Sequence, residues 1–136
     1  MVAILVDFHP GHQAATAEYR ARLGRGETLA VAAHSLAEIF AVLTRSPVPL
    51  RVSAERALQA IERAFVGQRE VVGLDPIEYL TVLRGADSGG VTGGQIYDAL
   101  IAACARKANV DVLLTYNERH FRRFEGDGLR ILVPGA

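Results

Sequence analysis

Gly93 to Phe121, GGQIYDALIAACARKANVDVLLTYNERHF, constrains the fold more than any other stretch. Gly93 and Gly94 break the chain, and an apolar, proline-free segment from Ile96 to Ala105 follows, which predicts a helix. Asn109 fits a left-handed cap at the end of that helix. Val112, Leu113 and Leu114 form a short continuous apolar run, as expected of a parallel strand covered on both faces. A second short helix is expected over Glu118 to Arg123. Asp98 falls in the first turn of the first helix. Thr115, Tyr116, Asn117 and Glu118 follow the strand, at its C-terminal end, where ligands bind in open α/β sheets.

The rest of the chain alternates in the same way. Val2 to Val6 is apolar and β-branched, and Phe8-His9-Pro10-Gly11 signals a turn. A helix is expected over Gln13 to Leu23, stopped by Gly24 and Gly26, and a strand over Thr28 to Ala33. Ser35 to Thr44 places Leu36, Ile39, Phe40 and Leu43 at helical spacing. Pro47 and Pro49 end that region. Ser53 opens a further helix to about Val66, with Leu58, Ile61 and Phe65 on one face, and Glu70 to Leu74 reads as a strand. Asp75-Pro76 is an N-cap followed by proline at the first helical position, for a helix ending near Arg84. Ala86 to Gly94 reads as a flexible glycine-rich loop, and Leu129 to Val133 as a last strand. Alternating strands and helices predict an α/β domain with a largely parallel sheet.

A chain of 136 residues, half of them hydrophobic, fits one domain, 1–136, with a sizeable core. Fifteen basic and fifteen acidic residues cancel, so the electrostatic signature of a general nucleic-acid binder is absent, although a local basic patch is compatible with that balance. The lone cysteine, Cys104, rules out a disulfide framework within one chain and fits a reduced, cytoplasmic setting, where it serves as a small core residue. The apolar run at the N-terminus is far short of the ~20 residues of a membrane span and lacks a basic leader.

Two acids stand where chemistry is expected. Glu38 is placed in the first turn of a helix that follows a strand, and Asp98 in the first turn of a helix that follows a loop. Carboxylates brought together there would suit Mg²⁺, which takes oxygen ligands, keeps several waters and uses substrate phosphates. Such an ion activates water and stabilises a leaving oxygen in phosphodiester hydrolysis. Each acid also has a plainly structural role open to it. Ser35-Leu36-Ala37-Glu38 matches a capping box, and Asp98 complements the helix dipole. Asn117 is either a neutral ligand or the N-cap of the helix after it. Thr115 either turns its hydroxyl to the site or only pairs in the strand. His9 and His12, three residues apart, fit a solvated turn better than a metal pair. His34 and His120 have no evident partner and read as structural. Arg119, Arg122 and Arg123 form a basic cluster that either meets RNA phosphates or is an ordinary solvated helix face.

YDALIAACARK followed by DVLLTYNERHF resembles the C-terminal half of the PIN domain, and within that family is most similar to the VapC-type toxins of bacterial toxin–antitoxin pairs. HPGHQAA, HSLAEIFAVLTR and the segment from Val48 to Ala54 look like the same subfamily, in the same order. The resemblance covers nearly the whole chain from His9 onward. It implies a three-layer α/β/α sandwich with a central, mostly parallel sheet, and a Mg²⁺- or Mn²⁺-dependent ribonuclease using a cluster of acids. Glu38 matches the second acid of the family pattern and Asp98 the third, while Asn117 stands where a fourth acid is often found. The resemblance further implies RNA as substrate, a small antitoxin as partner, and a homodimer.

The departure from the pattern is at the N-terminus. The family opens with a strand ending in Asp-x-Asn, whose Asp is the first metal ligand, and then a helix before the His-Pro turn. Here only Met1 to Asp7 precede Phe8-His9-Pro10, so part of the usual N-terminus is expected to be lacking. In one reading Val2 to Val6 is what is left of that helix and the first acid is absent. In the other Val2 to Val6 is the central strand, and Asp7 at its end supplies the first ligand. The alternative to an endoribonuclease is therefore a PIN fold with an incomplete site, serving as a binding or dimerisation module. A structure-specific nuclease of DNA ends would usually carry an arch or basic extension, and none is visible.

Overall fold

Helix starts and stops follow local chemistry closely in this chain. A computed structural model describes residues 1–6, 9–45, 47, 51–67 and 69–136, apart from the side chain of Val2. The chain falls into two compact units, Met1–Val71 with Gly135 and Val72–Pro134 with Ala136.

The first unit begins with a one-turn helix, α1 (Val2–Leu5), and continues through α2 (His12–Gly24), β1 (Ala30–Ala32), α3 (Ala33–Arg45) and α4 (Ala54–Phe65). β2 (Glu70–Val72) pairs with β1 at the end of this unit, and the Glu70 N–H donates to Leu29 O at 3.2 Å. Val2 to Val6 is thus not the central strand. Its β-branched residues favour a strand only weakly when context opposes it, and here Ile4 and Leu5 pack against the core of the unit. The His12 imidazole Nδ1–H donates to Ala3 O at 2.9 Å and ties α2 to α1. His9 Nδ1 accepts from the Gly11 N–H at 3.0 Å, so both histidines serve the turn.

The core of this unit is Ile39 and Leu43 of α3, Val31 of β1, and Ala57, Ile61 and Phe65 of α4. Burying side chains of this size contributes about 1.5–3 kcal/mol each for Ile, Leu, Val and Phe. The buried row of α4 runs at i, i+4, i+8 from Ala57, so Leu58, about 100° further round the helix, is 50% exposed rather than on the core face. Ser53 caps α4 as expected, its Oγ accepting from the Arg56 N–H at 3.3 Å. α3 starts at Ala33, two residues before Ser35, directly out of β1. Ser35 is therefore a buried helical residue, and the capping box proposed for Ser35 and Glu38 does not form.

The second unit contains α5 (Pro76–Gly89), α6 (Gln95–Lys107), β3 (Val112–Leu114), α7 (Glu118–Phe121), a 3-10 turn over Arg122–Phe124, and β4 (Arg130–Leu132). Asp75 and Glu78 form a complete capping box on α5. Asp75 Oδ1 accepts from the N–H groups of Ile77 and Glu78 at 2.8 and 2.9 Å, and Glu78 Oε2 accepts from the Asp75 N–H at 2.7 Å. With such a start α5 runs to Gly89, through residues expected to be loop, and closes on Gly90 in the left-handed region. α6 ends on Asn109 at φ +51°. The Asn109 N–H donates to Arg106 O and the Val110 N–H to Ala105 O, the paired bonds of a Schellman cap. β3 and β4 are parallel, with Val112, Leu113 and Leu114 opposite Arg130, Ile131 and Leu132. Leu113, Phe121, Leu129 and Ile131 form the core here, backed by Ile101 and Ala105 of α6. Cys104 is buried on α6, and burial pushes its thiol up, away from reactivity.

The strands make two separate two-stranded sheets, β1–β2 and β3–β4. Among the described residues no further strand joins them, and no helix is long and apolar enough to cross a membrane.

Candidate active site around Asp98

β3 ends at Leu114, and a ladder of backbone bonds carries the chain from the sheet to the site. The Thr115 N–H donates to Leu132 O of β4 at 3.0 Å. Thr115 Oγ1 then accepts from the Asn117 N–H at 3.0 Å, closing a turn on its own hydroxyl. Asn117 O accepts from the His120 N–H at 3.1 Å. Phe121, 5% exposed, anchors the short α7 in the core and meets Phe124 edge-on at 6.2 Å. His120 is the residue this arrangement delivers: its Nδ1 lies 3.3 Å from Asp98 Oδ2.

Asp98 occupies the first turn of α6, where the helix dipole favours a carboxylate. Its side chain is 17% exposed, against 47% for His120. Asn117 sits at the N-cap position of α7 but makes no side-chain cap bond, so capping does not explain its side chain. Thr115 is spent on the turn. Sequence reasoning placed Asp98 and Asn117 beside the end of β3 and missed His120. No local signal marks it, since its partner Asp98 lies 22 residues away in the chain.

Glu38 lies on α3 of the first unit, in its second turn rather than its first, and its side chain is 47% exposed. His34 Nε2, one turn earlier, stands 3.8 Å from its Oε1. Both histidines judged to lack partners thus face a candidate acid. Asp7 lies outside the described residues, and the helical α1 removes the strand on which its role as replacement ligand was argued. Among the arginines, Arg122 pairs with Glu118 and, at 3.2 Å, with Glu125. Arg123 donates to Gln95 Oε1 at 3.1 Å and to Gly89 O at 2.6 Å. Arg119 is exposed and makes no ion pair among the described residues.

Asp98 and Glu38 are hard oxygen donors of the kind Mg²⁺ takes, and Mg²⁺ is commonly held by one or two carboxylates with water and phosphate completing its shell. The donors therefore fit in kind. Among the described residues no group of three or more His, Cys, Asp or Glu side chains gathers into a full cage.

A family model for the PIN domain matches residues 1–127, across both units. The chain belongs to the PIN domain family. The PIN chain is 36% identical over 125 residues to Ribonuclease VapC40 of Mycobacterium tuberculosis, covering 92% of this chain and 87% of that one. It is 29% identical over 132 residues to Ribonuclease VapC27 of the same organism, covering 97% and 90%. Among solved structures it resembles the crystal structure of VapBC2 from Rickettsia felis bound to a DNA fragment from their promoter. The TM-score there is 0.63, at 20% identity, over 98% of this chain and 95% of that one. The α/β fold is that of a PIN domain.

Proposed function

We propose that this PIN domain is a metal-dependent endoribonuclease acting as the toxin of a toxin–antitoxin pair. The observation that carries the reading is full-length similarity to relatives named as ribonucleases, 36% identical over nearly the whole chain. Glu38 and Asp98 are the acids that would hold Mg²⁺ or Mn²⁺, with Asn117 assisting as a neutral oxygen donor. The ion, when bound, supplies a hydroxide-like nucleophile and stabilisation of the leaving oxygen. The chain's own residues do the rest. On this reading an RNA phosphate would meet the protein beside Asp98 and the Thr115 turn, with Arg119 as the arginine that would meet it, since Arg122 and Arg123 are held by neighbours. RNA-binding roles for Arg122 and Arg123 would require those bonds to be exchanged. The reading includes action as a single domain in the cytoplasm, a homodimer and a small antitoxin. Ile77, Leu80 and Leu83 of α5, all exposed, are apolar surface of the sort protein partners cover.

A second reading, a PIN fold that binds without cleaving, is favoured by one observation: no three metal-capable side chains gather among the described residues. Incubation with single-stranded RNA decides between them. The enzyme reading expects cleavage in Mg²⁺ or Mn²⁺ and none in EDTA. Retention of intact RNA in all three conditions supports the binding module.

A further inference from the structure

His120 is the one imidazole in the second unit, and the chain spends three successive hydrogen bonds and a buried aromatic ring to place it. The bonds run from Leu132 O to Thr115 N–H, from Thr115 Oγ1 to Asn117 N–H, and from Asn117 O to His120 N–H, each at 3.0–3.1 Å. Phe121 then locks the helix carrying the imidazole into the core formed with Ile101 and Ala105 of α6. α6 also bears Asp98. A half-exposed histidine on a free surface helix needs no such scaffold.

We propose that His120 is a positioning residue for Asp98, and that Thr115-Tyr116-Asn117-Glu118-Arg119-His120 is the device that holds it. The inference rests on the reading of Asp98 as a metal ligand. A carboxylate oxygen only accepts, so Nδ1 is the nitrogen that carries hydrogen toward Asp98 Oδ2, at 3.3 Å. Such bonds are often long before substrate and ion arrive. With Oδ2 held in this way, Oδ1 has no hydrogen-bond partner among the described residues and remains the oxygen for the ion. Partners of ligating carboxylates fix their orientation, and their loss typically lowers metal affinity about 10–100-fold. Tyr116, Glu118 and Arg119 make none of these three bonds; Tyr116 and Arg119 are exposed, and Glu118 pairs with Arg122.

The test is Mn²⁺ binding by calorimetry on the full chain, with urea unfolding alongside. His120→Ala should weaken Mn²⁺ by about 10-fold or more and leave the unfolding midpoint in place. His120→Asn should recover much of the loss, because its amide nitrogen falls near the position of Nδ1. His120→Gln, whose amide falls near Nε2, should not. In RNA cleavage the loss in His120→Ala should appear in kcat, with KM for RNA little changed. Unchanged or tighter Mn²⁺ binding in His120→Ala overturns the inference, as does equal rescue by Asn and Gln. If His120→Ala fails to fold, the Asn and Gln pair alone decides. Asp98→Asn separates the two levels: loss of Mn²⁺ there with none in His120→Ala rejects only the role of His120, whereas normal binding in Asp98→Asn, or none in the unaltered chain, rejects the ligand reading beneath it.

Discussion

Phe121→Leu tests the packing that places the site. Phe121 is 5% exposed and meets Phe124 at a 6.2 Å centroid distance with the rings inclined by 68°. Edge-to-face pairs of this kind contribute about 0.5–1.5 kcal/mol beyond the area they bury. Leucine keeps most of the apolar transfer but leaves part of the ring's volume empty, which adds about 1 kcal/mol given the range for large-to-small core changes. The expected destabilisation is about 1.5–2.5 kcal/mol. Urea unfolding followed by circular dichroism should show it as a fall in midpoint of about 1 M at an unchanged slope. A double-mutant cycle with Phe124→Leu should return a coupling of about 0.5–1.5 kcal/mol. Because His120 is the next residue, the same variant should also weaken Mn²⁺ binding. A destabilisation under about 0.5 kcal/mol, the range of ordinary surface changes, would refute the claim that a packed core fixes α7.

Three further outcomes follow from the local chemistry. Asp75→Ala removes the acceptor for two N–H groups at the start of α5 and should cost about 0.5–2 kcal/mol in the same unfolding assay, Asp75→Asn costing less. Glu78 is held below its ordinary value of 4.5, first by the hydrogen bond from Lys107 and then by that from the Asp75 N–H. A depressed carboxylate contributes stability that is present above its unfolded value and is lost as pH falls through the folded one. Stability should therefore decline below about pH 4.5, and Glu78→Gln should flatten that decline in unfolding curves taken across the acid range. Glu38→Gln should leave stability within about 0.5 kcal/mol, since α3 begins upstream of Ser35 and no cap is lost, while Mn²⁺ affinity and RNA cleavage both fall; unchanged affinity would end the assignment of Glu38.

Much of the fold was legible because it is written in local signals. Ser53, the Asp75-Pro76 pair and Asn109 each announced a helix end through a hydrogen bond or a backbone angle that side chains of that type favour. Leu113 and Ile131 were readable as strand because a short apolar run leaves few other solutions. What failed depended on tertiary context. Of the two readings left open for Val2 to Val6, the helix is the one found and the strand reading fails, because the segment packs as a helix turn against the core. Leu58 has the right type for the core but the wrong angle round α4. Gly85 and Gly89 did not stop α5, because a strong N-terminal box and the left-handed Gly90 define its ends instead. At the candidate site, the first-turn position of Asp98 on α6 was legible from the sequence. His120 was not, since its partner lies 22 residues away and only packing brings the two together.

The most direct test compares rates of single-stranded RNA cleavage by the unaltered chain and Asp98→Asn in saturating Mn²⁺, after unfolding curves have shown both to be folded. The account predicts cleavage by the unaltered chain that EDTA abolishes, and a loss of at least about 100-fold in Asp98→Asn, the scale seen when one electrostatic contact to a transition state is removed. Equal rates in the two proteins, or cleavage that persists in EDTA, would contradict it.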